Sequence, residues 1–363
     1  MAQFERTAAP RIALDGSDTL DVHSRAGSVT VMGADVTDCN VVARIFAQAA
    51  TEEEAQELAE QVEIVAQVTG STLRIRSREP DLGNNRSIGI SYAITVPRRM
   101  NVKCESNYGR LSTSNIEGRL EGRSSNGSIK AHDIQGPTDL NTSYGSIDCR
   151  NVTGQSITLR SSNGSITATG LRGSTTAETS YGSIACEDFS DGDLRLKRGN
   201  GRIGISNASF GICDARSSYG AIGGNSLKGH SIELHSNNGS VEADDVQAKT
   251  LHLSSSYGSI RATQVAASAI EASSGNGGVR IACSPAAPGD LNAQVRSSYG
   301  SIEFTSPPGF SGEVYLSTDY GTIRTALPVT MSGEITKKRI AGKVGDGTGQ
   351  IRLESNNGSV ELK

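Results

Sequence analysis

A Tyr-Gly or Asn-Gly pair recurs about every nineteen residues along most of this 363-residue chain. Fourteen glycines between Gly109 and Gly358 follow the register, and the preceding residue alternates between tyrosine and asparagine with few exceptions. A fixed period near twenty residues is the signature of a solenoid, in which each repeat buries its apolar face only by stacking on its neighbours. The sequence therefore predicts a repeat architecture before any local motif is considered.

The residues directly before these glycines are called the ladder positions. They are Tyr108, Asn126, Tyr144, Asn163, Tyr181, Asn200, Tyr219, Asn238, Tyr257, Asn276, Tyr299, Tyr320 and Asn357, with Ala341 as a degenerate copy. The spacing widens after Asn276, and the alternation is lost between Tyr299 and Tyr320.

Apolar residues keep constant distances from each of these glycines, at seven and five residues before it and at two, four and seven after it. Around Gly239 these positions hold Ile232, Leu234, Val241, Ala243 and Val246. Spacing by two is the period of a β-strand that buries one face. Because the parity changes at the glycine, which tolerates positive φ, each pair predicts a bend between two short strands.

The orientation of the ladder positions has two interpretations. They share the parity of the preceding inward residues, which favours a structural role inside the bend, with large tyrosines alternating with small asparagines. Alternatively, exposed tyrosines would form an aromatic stripe with a spacing of about 9 to 10 Å, twice the strand separation, suited to stacking on sugar rings. The sequence favours the structural role over a binding role.

The length of one coil also has two interpretations. One repeat per coil is favoured, but a coil of two repeats would stack tyrosine on tyrosine. Cys149 and Cys186 distinguish them, because they would be neighbours only in the longer coil and could then form a disulfide. Cys104 and Cys213 also occupy inward offsets, and no CxxC motif occurs, so we expect buried thiols rather than zinc or redox sites.

Residues 1–100 differ from the repeats and are predicted to form a first coil and a capping region. Leu20 to Ala34 match one repeat, and Thr51 with Glu54 forms a capping box before an amphipathic helix at about residues 52–65. Strands are predicted at about residues 71–78 and 87–97. Solenoid repeats follow over 101–363, and the chain stops inside a coil, which predicts an open C-terminal strand edge able to pair with a second copy.

Charge and hydropathy exclude several partners. The net charge of −4 and the lack of any Lys/Arg run argue against nucleic acid. No apolar stretch has the length of a transmembrane helix, and residues 1–11 do not resemble a signal peptide. We therefore expect no transmembrane segment, and the sequence as given leaves a cytoplasmic location open.

Three segments resemble the bacterial putative-adhesin β-strand-repeat family of unknown function. They are SRAGSV at residues 24–29, ITVP at residues 94–97, and the repeated SSNGSI and SYGSI units. The resemblance implies an extracytoplasmic or cell-surface location and a protein or glycan partner in the envelope. Repeats and resemblance together predict an all-β fold, a parallel single-stranded β-helix or solenoid, right-handed, with coils of about nineteen residues and one helix in its N-terminal cap.

Catalytic chemistry finds little support in the sequence. Asp188, Asp191 and Asp193 lie close together, as do Asp244 and Asp245, but both groups fall in turns, where solvated carboxylates are common. The five histidines share no inward offset or metal spacing, and only His235 and His252 could lie one coil apart. The GxSxG motif and calcium-binding repeats are absent. We therefore expect no catalytic residues, cofactor or metal.

The predicted function is that of a non-enzymatic envelope or surface protein whose solenoid binds a protein or glycan. Two alternatives are a structural solenoid that self-assembles through its open C-terminal end, and a polysaccharide-active β-helix enzyme. The missing acidic cluster disfavours the enzyme.

Overall fold

The computed structural model describes residues 2–83, 85–331 and 336–363. The chain forms two compact units, Met1–Thr179 and Ser180–Lys363. The boundary predicted at residue 100 falls within the first unit. Parallel strands in coils of about nineteen residues dominate both units, so the predicted parallel β-solenoid with one helix near its N-terminus is confirmed.

Over residues 2–83 and 85–179, the first unit contains one helix and sixteen strands. The helix α1 spans Glu52–Glu60, and the strands are β1 (Ala2–Ala8), β2 (Arg11–Ile12), β3 (Thr19–Ser24), β4 (Val29–Ala34), β5 (Cys39–Ala49), β6 (Glu63–Thr69), β7 (Thr72–Arg78), β8 (Ser87–Pro97), β9 (Asn101–Ser106), β10 (Leu111–Ile116), β11 (Leu120–Ser124), β12 (Ile129–Gln135), β13 (Thr138–Thr142), β14 (Ile147–Ser161), β15 (Ile166–Thr169) and β16 (Arg172–Thr179).

Parallel pairing stacks the coils of the first unit in register. Leu111 on β10 pairs with Val29 on β4 and with Ile129 on β12. Ile129 pairs in turn with Ile147, and Ile147 pairs with Ile166, so partners lie 18 or 19 residues apart along the chain. Each repeat therefore forms one coil, which confirms the favoured coil length.

The N-terminal cap combines antiparallel strands with the helix. β5 pairs antiparallel with β1 and β8, while β7 pairs antiparallel with β6 and parallel with β3. The Glu54 N–H donates to Thr51 Oγ1 at 3.2 Å, as the predicted capping box requires. The helix packs on β1 and β5 and ends at Glu60, short of the predicted residue 65, because Glu63–Thr69 pairs with β7 as a strand.

Fifteen strands lie in the described part of the second unit, residues 180–331 and 336–363. They are β17 (Ile184–Phe189), β18 (Leu194–Asn200), β19 (Ile203–Tyr219), β20 (Ile222–Ser236), β21 (Val241–Ser255), β22 (Ile260–Ser274), β23 (Val279–Cys283), β24 (Asn292–Ser297), β25 (Ile302–Thr305), β26 (Gly312–Thr318), β27 (Ile323–Thr325), β28 (Thr330–Met331), β29 (Arg339–Val344), β30 (Gly349–Ser355) and β31 (Val360–Leu362).

The core of the second unit is a set of aligned apolar stacks. In one of them Ile203, Ile222, Val241, Ile260, Val279 and Ile302 pair successively, each at most 1% exposed. Burying each such side chain contributes about 1.5–3 kcal/mol. The coils are thin, so this stacking of like on like takes the place of a single thick core.

In the coils whose repeat glycines run from Gly109 to Gly258, a second corner lies six residues after that glycine and has left-handed backbone. In the second unit Asp188, Asn207 and Asp245 adopt φ of 55°, 52° and 52°, and Asn115 and Asp133 do so in the first unit. Asn and Asp tolerate this conformation better than other non-glycine residues. Asp188 and Asp245 are therefore placed by corner geometry.

The C-terminal segment is inserted between two earlier coils. β30 pairs parallel with β24 on one side and with β26 on the other, and β31 lies between β25 and β27 in the same way. Val360 accordingly pairs with both Ile302 and Ile323. The prediction of an open C-terminal edge is wrong, because both edges of this segment are already occupied. The far edge of β26 pairs with the antiparallel strand β29.

Candidate functional site: the tyrosine ladder

The turn that carries the ladder positions is held by a buried hydroxyl three residues before the glycine. In the second unit Gly258 N–H donates to Ser255 Oγ at 2.8 Å, and Ser255 Oγ donates to the Gly239 carbonyl of the preceding coil at 3.0 Å. These serines and threonines are called the hydroxyl ladder. Its members are Ser106, Ser124, Thr142, Ser161 and Thr179 in the first unit and Ser217, Ser236, Ser255, Ser274, Ser297, Thr318 and Ser355 in the second.

The ladder tyrosines face solvent, so the favoured inward orientation is wrong. The exposed fraction is 65–80% for Tyr108 and Tyr144 in the first unit and for Tyr181, Tyr219, Tyr257, Tyr299 and Tyr320 in the second. The ladder asparagines are exposed as well. The parity argument fails because the strand ends at the hydroxyl ladder, whose bond to the glycine N–H closes a turn. That turn directs the next two residues outward.

Close approach of neighbouring turns explains the repeat glycines. A Cβ at Gly258 would lie closer than 3.0 Å to the backbone of Gly239 and Ser240, and a Cβ at Gly127 would meet Gly109 in the same way. The sequence suggested that glycine is needed at these positions for positive φ. Most of these glycines do not have positive φ. Glycine is required because the turns stack backbone on backbone.

Most ladder asparagines clamp the turn of the neighbouring coil. In the second unit Asn238 Nδ2 donates to Ser218 O at 3.1 Å and Asn357 Nδ2 donates to Ser298 O at 3.2 Å. In the first unit Asn126 and Asn163 donate to Asn107 O and Ser143 O. The amides thus fix the turns between which the tyrosine rings project.

Along the stack of the second unit, tyrosine and asparagine alternate at every step. The spatial order is Tyr181, Asn200, Tyr219, Asn238, Tyr257, Asn276, Tyr299, Asn357 and Tyr320. Insertion of the C-terminal coil places Asn357 between two tyrosines that are adjacent in the sequence pattern. The first unit has the order Tyr108, Asn126, Tyr144 and Asn163.

A groove of about 920 Å³ runs beside the ladder of the second unit. Its lining includes Tyr257, Asn276, Arg296, Tyr315, Arg339 and Glu354. The Arg352 and Arg339 guanidinium carbons lie 4.5 and 5.9 Å from the centre of the Tyr315 ring. Arg352 and Arg296 donate to Glu354 and hold the pKa of its carboxyl below the usual range.

Sequence reasoning found the ladder residues of this groove but missed Arg296, Tyr315 and Glu354. Arg296 and Glu354 are 58 residues apart in the chain, and only the insertion of β30 beside β24 brings them to 3.1 Å. The sequence did offer one signal for Tyr315, because this residue is one of only two tyrosines outside the ladder positions. The other, Tyr92, is buried in the first unit.

The polar residues considered for chemistry lie in separate places. Over residues 2–83, 85–331 and 336–363, no three His, Cys, Asp or Glu side chains are grouped so that they could hold a metal ion. His235 contacts Ser254 Oγ at 2.7 Å and Asn237 Oδ1 at 2.9 Å, and His252 lies 3.6 Å from Glu271. These contacts hold the two histidines in separate surface networks.

The cysteines at inward offsets are buried, as the sequence predicts, and none of the six, which all lie in the described ranges, forms a disulfide. Burial raises the pKa of Cys104 and of Cys186 to about 12. Such thiols stay protonated at neutral pH and act as small apolar side chains.

Within the described ranges, no helix has the length and apolar character needed to cross a membrane.

Comparison with known proteins gives one family match and several similar structures. Residues 186–363 match the sequence model of a family described as Toastrack DUF4097. No curated protein matches the chain. A putative cell adhesion protein from Clostridium sporogenes ATCC 15579 is 10% identical over 99% of both chains, with a TM-score of 0.22.

Two further solved structures show a similar level of likeness. A putative adhesin from Bacteroides fragilis NCTC 9343 is 13% identical, covering 99% of this chain and 97% of its own, with a TM-score of 0.20. A putative lipid binding protein from Parabacteroides distasonis ATCC 8503 is 14% identical, covering 82% of this chain and 94% of its own, with a TM-score of 0.23.

Proposed function

We propose that the protein is a non-enzymatic binding scaffold that holds a glycan against its tyrosine ladder, and the match of residues 186–363 to the Toastrack DUF4097 family model is the premise from which we start. The ladder positions then have a binding role in addition to their place in the turn. A location outside the cytoplasm or at the cell surface is part of the proposal and rests on the family resemblance.

The observation that carries the proposal is the exposure of the ladder tyrosines. Tyr219, Tyr257 and Tyr299 are 65–66% exposed, although aromatic side chains of this size usually bury most of their surface. Their rings project from turns fixed by backbone stacking and by asparagine amides. A ligand would therefore meet rings that need little ordering, which lowers the entropic cost of binding.

Spacing and chemistry favour a sugar chain as the ligand. Tyrosines two coils apart are separated by about 9 to 10 Å, which allows successive rings to contact alternate sugars of an extended chain. Aromatic faces stack on the apolar faces of sugar rings, and amides and hydroxyls bond sugar hydroxyls. Neutral polar side chains such as Ser256 and Ser298 flank the ladder, which favours a neutral glycan along it.

A glycan array with the full chain tests the proposal, followed by affinity measurements on two ladder variants. Combined Tyr219→Ala, Tyr257→Ala and Tyr299→Ala substitutions should weaken binding at least tenfold, because three stacking contacts are lost. The matching Tyr→Phe variant keeps the rings and should retain most of the affinity. The exposed positions should leave the thermal unfolding temperature of both variants close to that of the wild type.

The array and the variants can each contradict the proposal. An array without hits, or binding that the Ala variant leaves unchanged, would remove the ladder as a glycan site. Depolymerisation of any bound polysaccharide would overturn the non-enzymatic assignment.

A further inference from the structure

One coil of the second unit breaks the hydroxyl ladder with an arginine. Arg198 occupies the position three residues before Gly201, where the other repeat coils of this unit, from Ser217 to Ser355, carry serine or threonine. Its residue exposure is only 2%, so the side chain fills the place of a small hydroxyl inside the turn.

Among residues 2–83, 85–331 and 336–363, no side chain supplies a counter-charge to this guanidinium. Arg198 Nε, Nη1 and Nη2 are buried and make no hydrogen bond within the same ranges. Burial alone lowers the pKa of Arg198 to about 10, and no carboxylate contributes. The group is therefore charged at neutral pH, and a buried charge without a partner is strongly unfavourable.

The hydrogen bonds of the adjoining turns are broken around the same point. Ser217 Oγ in the next coil has no partner in the part of the chain that the structure describes, whereas Ser236 and Ser255 each bond the backbone of two turns. Position 198 offers the Gly201 N–H no acceptor, because an arginine side chain has donors only. Three kinds of donor thus converge here: a guanidinium, a hydroxyl and a backbone amide.

The guanidinium lies directly under the two turns. Nη1 lies 3.0 Å from the position that a Cβ on Gly201 would occupy, and Nη2 lies 3.2 Å from that on Gly220. Both residues are glycines, so no side chain separates the charge from the turn backbone. A ligand held here would contact donors from two successive coils.

We propose that the second unit binds one small monovalent anion, of the size and charge of chloride, at this break in the hydroxyl ladder. Arg198 supplies the charge, and the Ser217 hydroxyl and the amides of Gly201 and Gly220 supply further donors. The burial of the site excludes a ligand-borne carboxylate, so the anion is separate from the proposed glycan. When bound, the anion neutralises the charge of Arg198 beneath the turns of Asn200 and Tyr219.

Crystals of the full chain soaked in bromide test the site directly. An anomalous peak within hydrogen-bond distance of the Arg198 guanidinium and Ser217 Oγ is expected. Density for water alone at that point, without an anomalous peak, would overturn the proposal.

Thermal unfolding at constant ionic strength gives an independent test. Replacing sodium gluconate by sodium chloride should raise Tm of the wild type, because the anion binds only the folded state. Arg198→Ser restores the hydroxyl ladder, so it should raise Tm in gluconate and abolish the chloride-dependent rise. Lys197→Ser removes a neighbouring exposed cation and should keep that rise. Equal chloride responses in the wild type and Arg198→Ser would contradict an anion at this site.

Discussion

Asn357 donates from Nδ2 to the carbonyl oxygen of Ser298 at 3.2 Å, which seats the last ladder turn directly on the turn of Tyr299. Tyr320 N–H then bonds Asn356 O on the other side of the same turn at 2.9 Å. The alternation of tyrosine and asparagine is thus restored in space where the sequence loses it. In the second unit an asparagine separates each pair of neighbouring tyrosines of the ladder, and the inserted coil supplies the one that the sequence pattern lacks.

Deleting residues 349–363 should open a slot in the second unit. The segment buries Ile351, Leu353, Val360 and Leu362 between two coils, so its loss exposes apolar surface and two strand edges. We expect a lower thermal unfolding temperature and concentration-dependent association, measured by light scattering. A synthetic peptide of residues 349–363 added in trans should reverse both effects. A truncated chain that stays monomeric with unchanged stability would show that the insertion does not hold the unit together.

Replacing Ser255 by alanine should destabilise the second unit. Its hydroxyl accepts from Gly258 N–H and donates to Gly239 O, and both groups lose this partner in Ser255→Ala. The expected loss is about 1–3 kcal/mol in the free energy of unfolding, measured by chemical denaturation. Ser256→Ala, at the exposed next residue, is the matched control and should change stability by less than about 0.5 kcal/mol. Equal effects of the two substitutions would refute the role of the hydroxyl ladder.

The sequence predicts the coil and its core well because both depend on local periodicity. Ile232 and Val241 are buried at the offsets that the repeat specifies. The ladder orientation is not predictable by parity, because the turn from Ser255 to Gly258 ends the alternation of the strand. The place of Asn357 is not predictable either, since every repeat offers the same stacking surface and the pattern does not specify which coil lies beside which.

Gly258→Ala should lower the free energy of unfolding far more than Gly204→Ala. A Cβ at Gly258 would collide with the Gly239 backbone, which cannot move without shifting the stacked turn, whereas a Cβ at Gly204 meets nothing within 4 Å. We expect a loss of about 3 kcal/mol or more for Gly258→Ala and little change for Gly204→Ala. Chemical denaturation of the two variants compares them, and similar midpoints would disprove the close-approach explanation.

The inward thiols should resist alkylation in the native protein. Cys104 and Cys186 are buried with pKa raised to about 12, so their thiolate population is very small near pH 8. Iodoacetamide should modify them only after denaturation, as read by mass spectrometry of peptides.

Peptide mapping should also find no Cys149–Cys186 disulfide, because Cys149 stacks on Ala168 and Cys186 on Ile205 in coils of one repeat. An oxidised bridge between them would falsify that coil length.

Acid should weaken the inserted coil through Glu354. Hydrogen bonds from Arg352, and then from Arg296, lower the pKa of Glu354 in the folded state. A carboxyl with a depressed pKa stabilises the fold above its unfolded pKa of about 4.3, and this contribution is lost as pH falls through the lower folded value. The arginines are half-exposed, so the contribution is at most about 1 kcal/mol.

Glu354→Gln should therefore lower Tm near neutral pH and flatten the decline of Tm in acid. Glu313→Gln, at an exposed position on β26, should follow the wild type. Parallel curves of Tm against pH for the wild type and Glu354→Gln would show that the ion pairs of Glu354 with Arg352 and Arg296 do not stabilise the inserted coil.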